Sequence, residues 1–172
     1  MKGLHIYTGE GGGKTVAALG LALRAVGHGH KVIIIQFMKG RRYIGEYKIA
    51  RRLYPEYNIY QFGREEFVDL KNPSDEDKKI AEEGLKFVKR IVKKEKPDIL
   101  ILDEINLAAS INLISIEDVI DLLNKIPEKT LVVFTGRRAP KEFIEKADMV
   151  TELIPIKHPY EKGIKARTGI EY

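Results

Sequence analysis

Between an apolar run and a helix-patterned run near the start of the chain stands Thr8-Gly9-Glu10-Gly11-Gly12-Gly13-Lys14-Thr15. These residue types at this spacing suit a nucleoside triphosphate. Glycines let successive backbone N–H groups turn toward one anion, Lys14 adds a mobile ammonium, and the Thr15 hydroxyl is placed to ligate a magnesium ion. The usual pattern has a glycine where Thr8 stands, so the match is a variant, supported by its strand-loop-helix context. A second chemical position follows the apolar run Ile99-Leu100-Ile101-Leu102, where Asp103-Glu104 ends a buried strand. One of these carboxylates is expected to partner the metal, since magnesium prefers hard oxygen ligands and keeps several waters; a carboxylate capping a neighbouring helix is the alternative.

Three arginines and a histidine complete the candidates. Arg137 and Arg138 follow another apolar strand in Thr135-Gly136-Arg137-Arg138, and at least one is expected to meet phosphate or a substrate carboxylate or amide. Arg24 sits amid alanine and leucine after the glycine loop, so it needs an anionic partner if buried, or else lies on the surface with its stem over apolar neighbours. His28 and His30 lack a third ligand nearby and read as a turn after a helix, whereas His158 is a loop histidine able to bind or exchange protons. No Ser-His-Asp set has recognisable spacing and no motif places a general base. That pattern suggests a nucleophile that arrives already activated, with the protein supplying position and charge stabilisation.

The elements that must hold these groups are legible in the apolar periodicity. Leu4, Ile6 and Tyr7 form a short strand into the glycine loop, residues 15–26 a largely buried helix ended at Gly27 to Gly29, and residues 31–37 a strand whose continuous run Val32-Ile33-Ile34-Ile35 suits burial on both faces. Residues 39–54 are basic, tyrosine-containing and the least regular. A strand is expected at 58–62, and Ser74 caps a long helix from 75 to about 94. Beyond Asp103-Glu104, Ser115 caps a helix to about 125, residues 131–134 form a strand, Pro140 opens a short helix to about 147, and 149–154 form the last strand. Strands alternating with helices imply an α/β fold with a mainly parallel sheet wrapped on both faces. Ligands gather at the carboxyl ends of such strands, which places the glycine loop, residues 36–40, Asp103-Glu104 and residues 135–138 on one edge.

Composition bounds the function. With 172 residues the chain suits one domain, 1–172. Cysteine is absent, which excludes disulfides, thiolate metal sites, iron–sulfur clusters and a cysteine nucleophile, so any electrons must come from outside. The net charge is +5, but basic and acidic residues interleave as on an ordinary solvated surface, so no nucleic-acid groove is demanded. No run is long and apolar enough to span a membrane, and no signal-peptide pattern opens the chain. A cytoplasmic location is expected.

Taken together, Thr8-Gly9-x-Gly11-x-Gly13-Lys14-Thr15, Arg24-Ala25-Val26-Gly27-His28-Gly29, Gln36-Phe37-x-Lys39-Gly40 with Gly45-Glu46, Leu102-Asp103-Glu104, Thr135-Gly136-Arg137, and the ending Ala147-Asp148 to Glu152-Leu153, Lys157-His158 and Gly169-Ile170-x-Tyr172 resemble the P-loop corrinoid adenosyltransferases. The resemblance implies a three-layer P-loop NTPase-like (RecA-like) domain. It implies transfer of the 5′-deoxyadenosyl group of ATP to Co(I) of cobalamin or cobyrinic acid a,c-diamide, with tripolyphosphate released. Co(I) is itself a strong nucleophile, in keeping with the missing base. Carried over residue by residue, Gly9, Glu10, Gly11, Gly12, Gly13, Lys14, Thr15, Val16, Arg24 and Arg137 are expected to bind ATP. Thr15 and Glu104 are expected to hold magnesium, with manganese as an alternative, and Lys14, Thr15 and Glu104 to be catalytic. An external reductase such as a flavoprotein would supply Co(I). The sequence departs from the family pattern at Glu10, often asparagine, at Gly12, often lysine, and at Val16, often a second threonine. In Gly63-Arg64-Glu65-Glu66-Phe67 the family's tryptophan is missing, and Phe67 is its candidate substitute. The chain opens at the first strand, without the N-terminal extension of some members, so enclosure of the corrinoid is expected to rely on a homodimer partner. A small P-loop ATPase or kinase that cleaves between phosphates is the competing reading, and a nucleotide-dependent DNA-binding module a third.

Overall fold

The computed structural model describes residues 3–157, 163 and 165–170. Six strands, β1 (Gly3–Thr8), β2 (Val32–Phe37), β3 (Tyr57–Phe62), β4 (Ile99–Asp103), β5 (Leu131–Thr135) and β6 (Met149–Glu152), form one sheet in the order β3-β2-β4-β5-β1-β6, and every pair is parallel. All residues of β2, β4 and β5 are buried, as the continuous apolar runs require of strands covered on both faces. Side chains alternate between two cores. Ile33, Ile35, Leu100, Leu102, Val132 and Phe134 face one layer, while Val32, Ile34, Ile99, Ile101, Leu131 and Val133 face the other.

Helix α1 (Lys14–Val26) covers the second face through Ala18, Ala22 and Ala25, whose small side chains let its axis lie close to the sheet. The first face is covered by α3 (Asp75–Glu95), α4 (Ile105–Ser110) and α5 (Ile116–Lys125), with Phe143 of α6 (Lys141–Lys146) packed edge-on against Phe134. α3 begins with a reciprocal cap, in which the Ser74 hydroxyl accepts from Asp77 N and Asp77 accepts from Ser74 N. Gly84 of α3 faces the sheet, where an added Cβ would lie 2.9 Å from both Phe37 and Phe62. The irregular basic stretch contains a short helix, α2 (Gly45–Ala50), with no buried residue, and α4 follows directly on the Asp103-Glu104 pair. Neither helix was expected, since each has only six residues, too few to display a helical period. Several boundaries also move by a residue or two. β6 stops at Glu152 rather than 154, and Pro140 caps α6 instead of forming its first turn.

Candidate active site

Parallel register brings polar residues from successive strands to one level at the carboxyl edge. Gln61 of β3 stands beside Gln36 of β2, which stands beside Asp103 of β4; one strand further, Thr135 of β5 aligns with Tyr7 of β1. Side-chain hydrogen bonds join the row. Gln61 Nε2 donates to Gln36 Oε1 at 2.9 Å, Gln36 Nε2 to Asp103 Oδ2 at 3.0 Å, and Thr135 Oγ1 to Asp103 Oδ1 at 2.6 Å. Because β5 lies between β4 and β1, Thr135 ties the carboxylate strand to the strand that feeds the glycine loop, and its hydroxyl also accepts from Glu104 N at 3.0 Å.

At two positions the loop uses backbone that favours glycine. Gly9 and Gly13 both have φ of +96°, and a Cβ on Gly9 would come within 2.5 Å of the Leu153 carbonyl oxygen. That approach is used: Leu153 N donates to Thr8 O and Gly11 N to Leu153 O, both at 2.8 Å, so the segment after β6 braces the loop from outside. Lys14 is buried and its ammonium donates to Gly9 O at 2.8 Å and Gly11 O at 2.6 Å, which places the charge inside the loop's curve. Burial lowers the Lys14 pKa from its ordinary value, against Glu104, Glu10 and Asp103, which favour the charged form.

Thr15, one residue on, donates to Asp103 Oδ1 at 2.8 Å. The two carboxylates divide here. Asp103 is buried and receives Thr15, Thr135, Gln36 and the Lys39 ammonium, the last at 2.6 Å on Oδ2. Burial would raise its pKa, but the Lys39 charge and the hydrogen bonds from Lys39, Thr135 and Thr15 hold it below the usual carboxylate range. Glu104 has a left-handed backbone, φ 63°, at the N-terminus of α4. Burial and the neighbouring Asp103 charge raise its pKa, opposed by Lys39, Lys14 and Arg137. One carboxylate is thus saturated with donors while the other lies in the field of three cations.

Of the other expected ligands, Glu10 and Arg137 meet each other, Arg137 Nη1 to Glu10 Oε2 at 3.1 Å, at the mouth of the loop. Gly12 and Gly13 are exposed there, and Val16 points outward, 64% exposed. Arg24 is not part of this cluster. It is exposed in the last turn of α1, ten residues and hence roughly 15 Å along the axis from Lys14. Arg138 is exposed at φ 53°. His158 and Tyr172 lie outside the described residues. Phe67 is 83% exposed, with the Arg41 guanidinium 4.0 Å from its ring centroid.

Sequence reasoning missed Asn106 and the engagement of Lys39. Asn106 is fully buried, and its amide donates to Gly136 O at 3.2 Å and Tyr7 O at 3.4 Å, pinning the turn after β5 to the end of β1. Its position three residues after Asp103 on an apolar stretch was the available signal.

The oxygens of Thr15, Asp103 and Glu104 are the hard donors magnesium prefers, gathered where the loop would place phosphate. Among the described residues no three His, Asp or Glu side chains form a metal cage. Thr15 and Glu104 are the residues that could hold an ion which keeps waters and shares phosphate oxygens, as magnesium does.

Residues 2–172 match the family model of the ATP:corrinoid adenosyltransferases BtuR/CobO/CobP. The chain is 35% identical over 167 residues to a corrinoid adenosyltransferase of Escherichia coli strain K12, covering 97% of this chain and 84% of that protein. It is 36% identical over 174 residues to one from Sinorhizobium sp, covering 99% and 81%. In fold it is similar to the flagellar accessory protein FlaH from Methanocaldococcus jannaschii, with a TM-score of 0.57 at 15% identity over 87% of this chain and 69% of that one. A P-loop at the edge of a parallel sheet, together with a family match from the first strand to the last residue, means that this chain belongs to the ATP:corrinoid adenosyltransferases, enzymes that transfer the adenosyl group of ATP to a corrinoid.

Proposed function

We propose that the enzyme joins C5′ of ATP to Co(I) of a corrinoid, cobalamin or cobyrinic acid a,c-diamide, and releases the triphosphate intact. The observation that carries this reading is the convergence of Lys14, Thr15, Asp103, Glu104 and Arg137 on one loop, a set suited to gripping a whole triphosphate. The cobalt electron pair forms the Co–C5′ bond, the C5′–O pair leaves with tripolyphosphate, and cobalt is formally oxidised by two electrons. Charge grows on the leaving group, so the groups around it do the catalytic work. The loop amides of Gly9, Gly11, Gly12 and Gly13 would donate to phosphate oxygens, Lys14 would turn from the loop carbonyls to the phosphates, and Arg137 would leave Glu10 for them. Val16 and Glu10 border the nucleotide at the mouth.

Thr15 and Glu104 would hold magnesium, with manganese able to replace it. That ion, when bound, offsets triphosphate charge. Asp103 orients the Thr15 hydroxyl from beneath. Arg24 is exposed in the last turn of α1, ten residues from Lys14, so its part in binding ATP is proposed across a homodimer. Phe67, held under Arg41, is proposed to meet the corrinoid face. One catalytic domain over residues 1–172, working in the cytoplasm with electrons from an external reductase such as a flavoprotein, completes the reading. No helix among the described residues is long and apolar enough to cross a membrane.

The test is incubation with ATP, magnesium and a chemically reduced corrinoid. A light-sensitive Co–C product with stoichiometric tripolyphosphate is expected. Orthophosphate without alkylated cobalt would instead support cleavage between phosphates and defeat the proposal.

A further inference from the structure

The Lys39 ammonium stands where two oxygens of the metal edge meet. It is 2.6 Å from Asp103 Oδ2 and 3.3 Å from Thr15 Oγ1, while Thr15 Oγ1 is itself 2.8 Å from Asp103 Oδ1. Its base is fixed. Met38 N donates to Phe62 O at 2.9 Å, and the flanking backbone packs so tightly on the turn after β3 that a Cβ on Gly63 would come within 2.3 Å of Lys39 N and one on Gly40 within 2.4 Å of Gly63 O. From that anchor a flexible side chain, 26% exposed, reaches over the edge of the sheet. A rigid root and a long unbranched arm suit a charge that changes partner without moving the backbone.

We propose that Lys39 is the resident counter-ion of the metal position: its ammonium and a divalent ion compete for the Thr15 hydroxyl that Asp103 orients, and for the negative field of Asp103 beneath it, so metal enters only with a triphosphate that gives Lys39 a new anionic partner. This rests on reading the edge as a metal–triphosphate site. A free divalent ion arriving beside the ammonium meets like charge at a few ångströms, enough to weaken its binding at least about tenfold even under water-like screening. Metal brought by ATP carries its own anion. Lys39 is thereby a positioning residue that sets the order of assembly.

Manganese binding, read from the electron paramagnetic resonance signal of the free aquo ion, tests this without any turnover. Wild type without nucleotide should bind manganese only weakly, and ATP should tighten binding to the protein at least about tenfold beyond the signal lost in a matched ATP solution without protein. Lys39→Met should bind manganese without nucleotide at least about tenfold more tightly than wild type, Lys39→Arg should not, and Lys39→Met combined with Asp103→Asn should lose the gain. Wild type that binds manganese equally well with and without ATP overturns the inference whether or not any variant folds. So does a folded Lys39→Met with no gain, or a gain that survives Asp103→Asn. Adenosylcobalt formation by wild type is scored separately: product without the manganese exchange removes this inference alone, and the exchange without product removes the proposed reaction alone.

Discussion

At the scale of the residue, the proposed chemistry turns on two adjacent carboxylates with opposite environments. Asp103 receives four side-chain donors and is held ionised, whereas Glu104 keeps a raised pKa among Lys14, Lys39 and Arg137. A carboxylate already saturated by the protein supports others, and one with free lone pairs is the better outer ligand. Lys14→Ala and Glu104→Ala are therefore each expected to lower kcat by about 10²- to 10³-fold, the usual loss when one preorganised charge donor leaves a transition state. Circular dichroism and the thermal midpoint should stay near wild type, and a variant with normal turnover would void its assigned role. Lys14, Thr15 and the carboxylate pair were legible because each belongs to a local motif. The Lys39–Asp103 contact spans 64 residues and exists only because β2 and β4 are neighbours, a fact that no local pattern encodes. Arg24 shows the converse, a residue whose local motif is clear but whose place in the fold lies away from the loop.

At the scale of the element, the strands were legible nearly residue for residue, since burial on both faces leaves uninterrupted apolar runs in β2, β4 and β5. The short helices α2 and α4 were not, being held by their surroundings rather than by their own pattern. α3 lies between these cases. Its Ser74 cap was readable, but Arg64, which forks onto the same Asp77 at 2.9 and 3.1 Å, was not. Burial opposes charge on Asp77, yet Arg64 and Ser74 hold its pKa below the ordinary value. A depressed carboxyl contributes stability that is present above its unfolded pKa, about 4, and lost as pH falls through the folded value. The stability gap between wild type and Asp77→Asn, from urea midpoints, should be constant near neutrality and close below about pH 4. A gap unchanged down to pH 3 would remove the ionised pair from the account. Ser74→Ala should cost about 1 kcal/mol through the lost cap. Gly84→Ala should cost more, about 1–3 kcal/mol, because Phe37 and Phe62 leave no room for a methyl group and α3 must move off the sheet. Wild-type stability in that variant would show that the two rings yield freely.

At the scale of the whole molecule, the cysteine-free chain brings position and charge to the proposed reaction but no thiol. None of its 172 residues is cysteine, so it carries no dithiol, iron–sulfur cluster or thiolate metal able to reduce cobalt. The fold supplies instead a polar carboxyl edge on a sheet whose central strands β2, β4 and β5 are spent on packing, with the segment after β6 closing against the loop through Leu153. The proposed attack on C5′ needs an electron pair on cobalt, and the Co(II) state holds one electron too few. With ATP, magnesium and a Co(II) corrinoid but no reductant, the enzyme should therefore form no Co–C product over many turnover times. Adding a chemical reductant, or a reduced flavoprotein with its electron donor, should start product formation at once, at a rate that follows the reductant until Co(I) saturates the site. Product formed from Co(II) by the protein alone would place the electron source inside this chain and break the division of labour between a protein that grips the leaving group and a corrinoid that performs the attack.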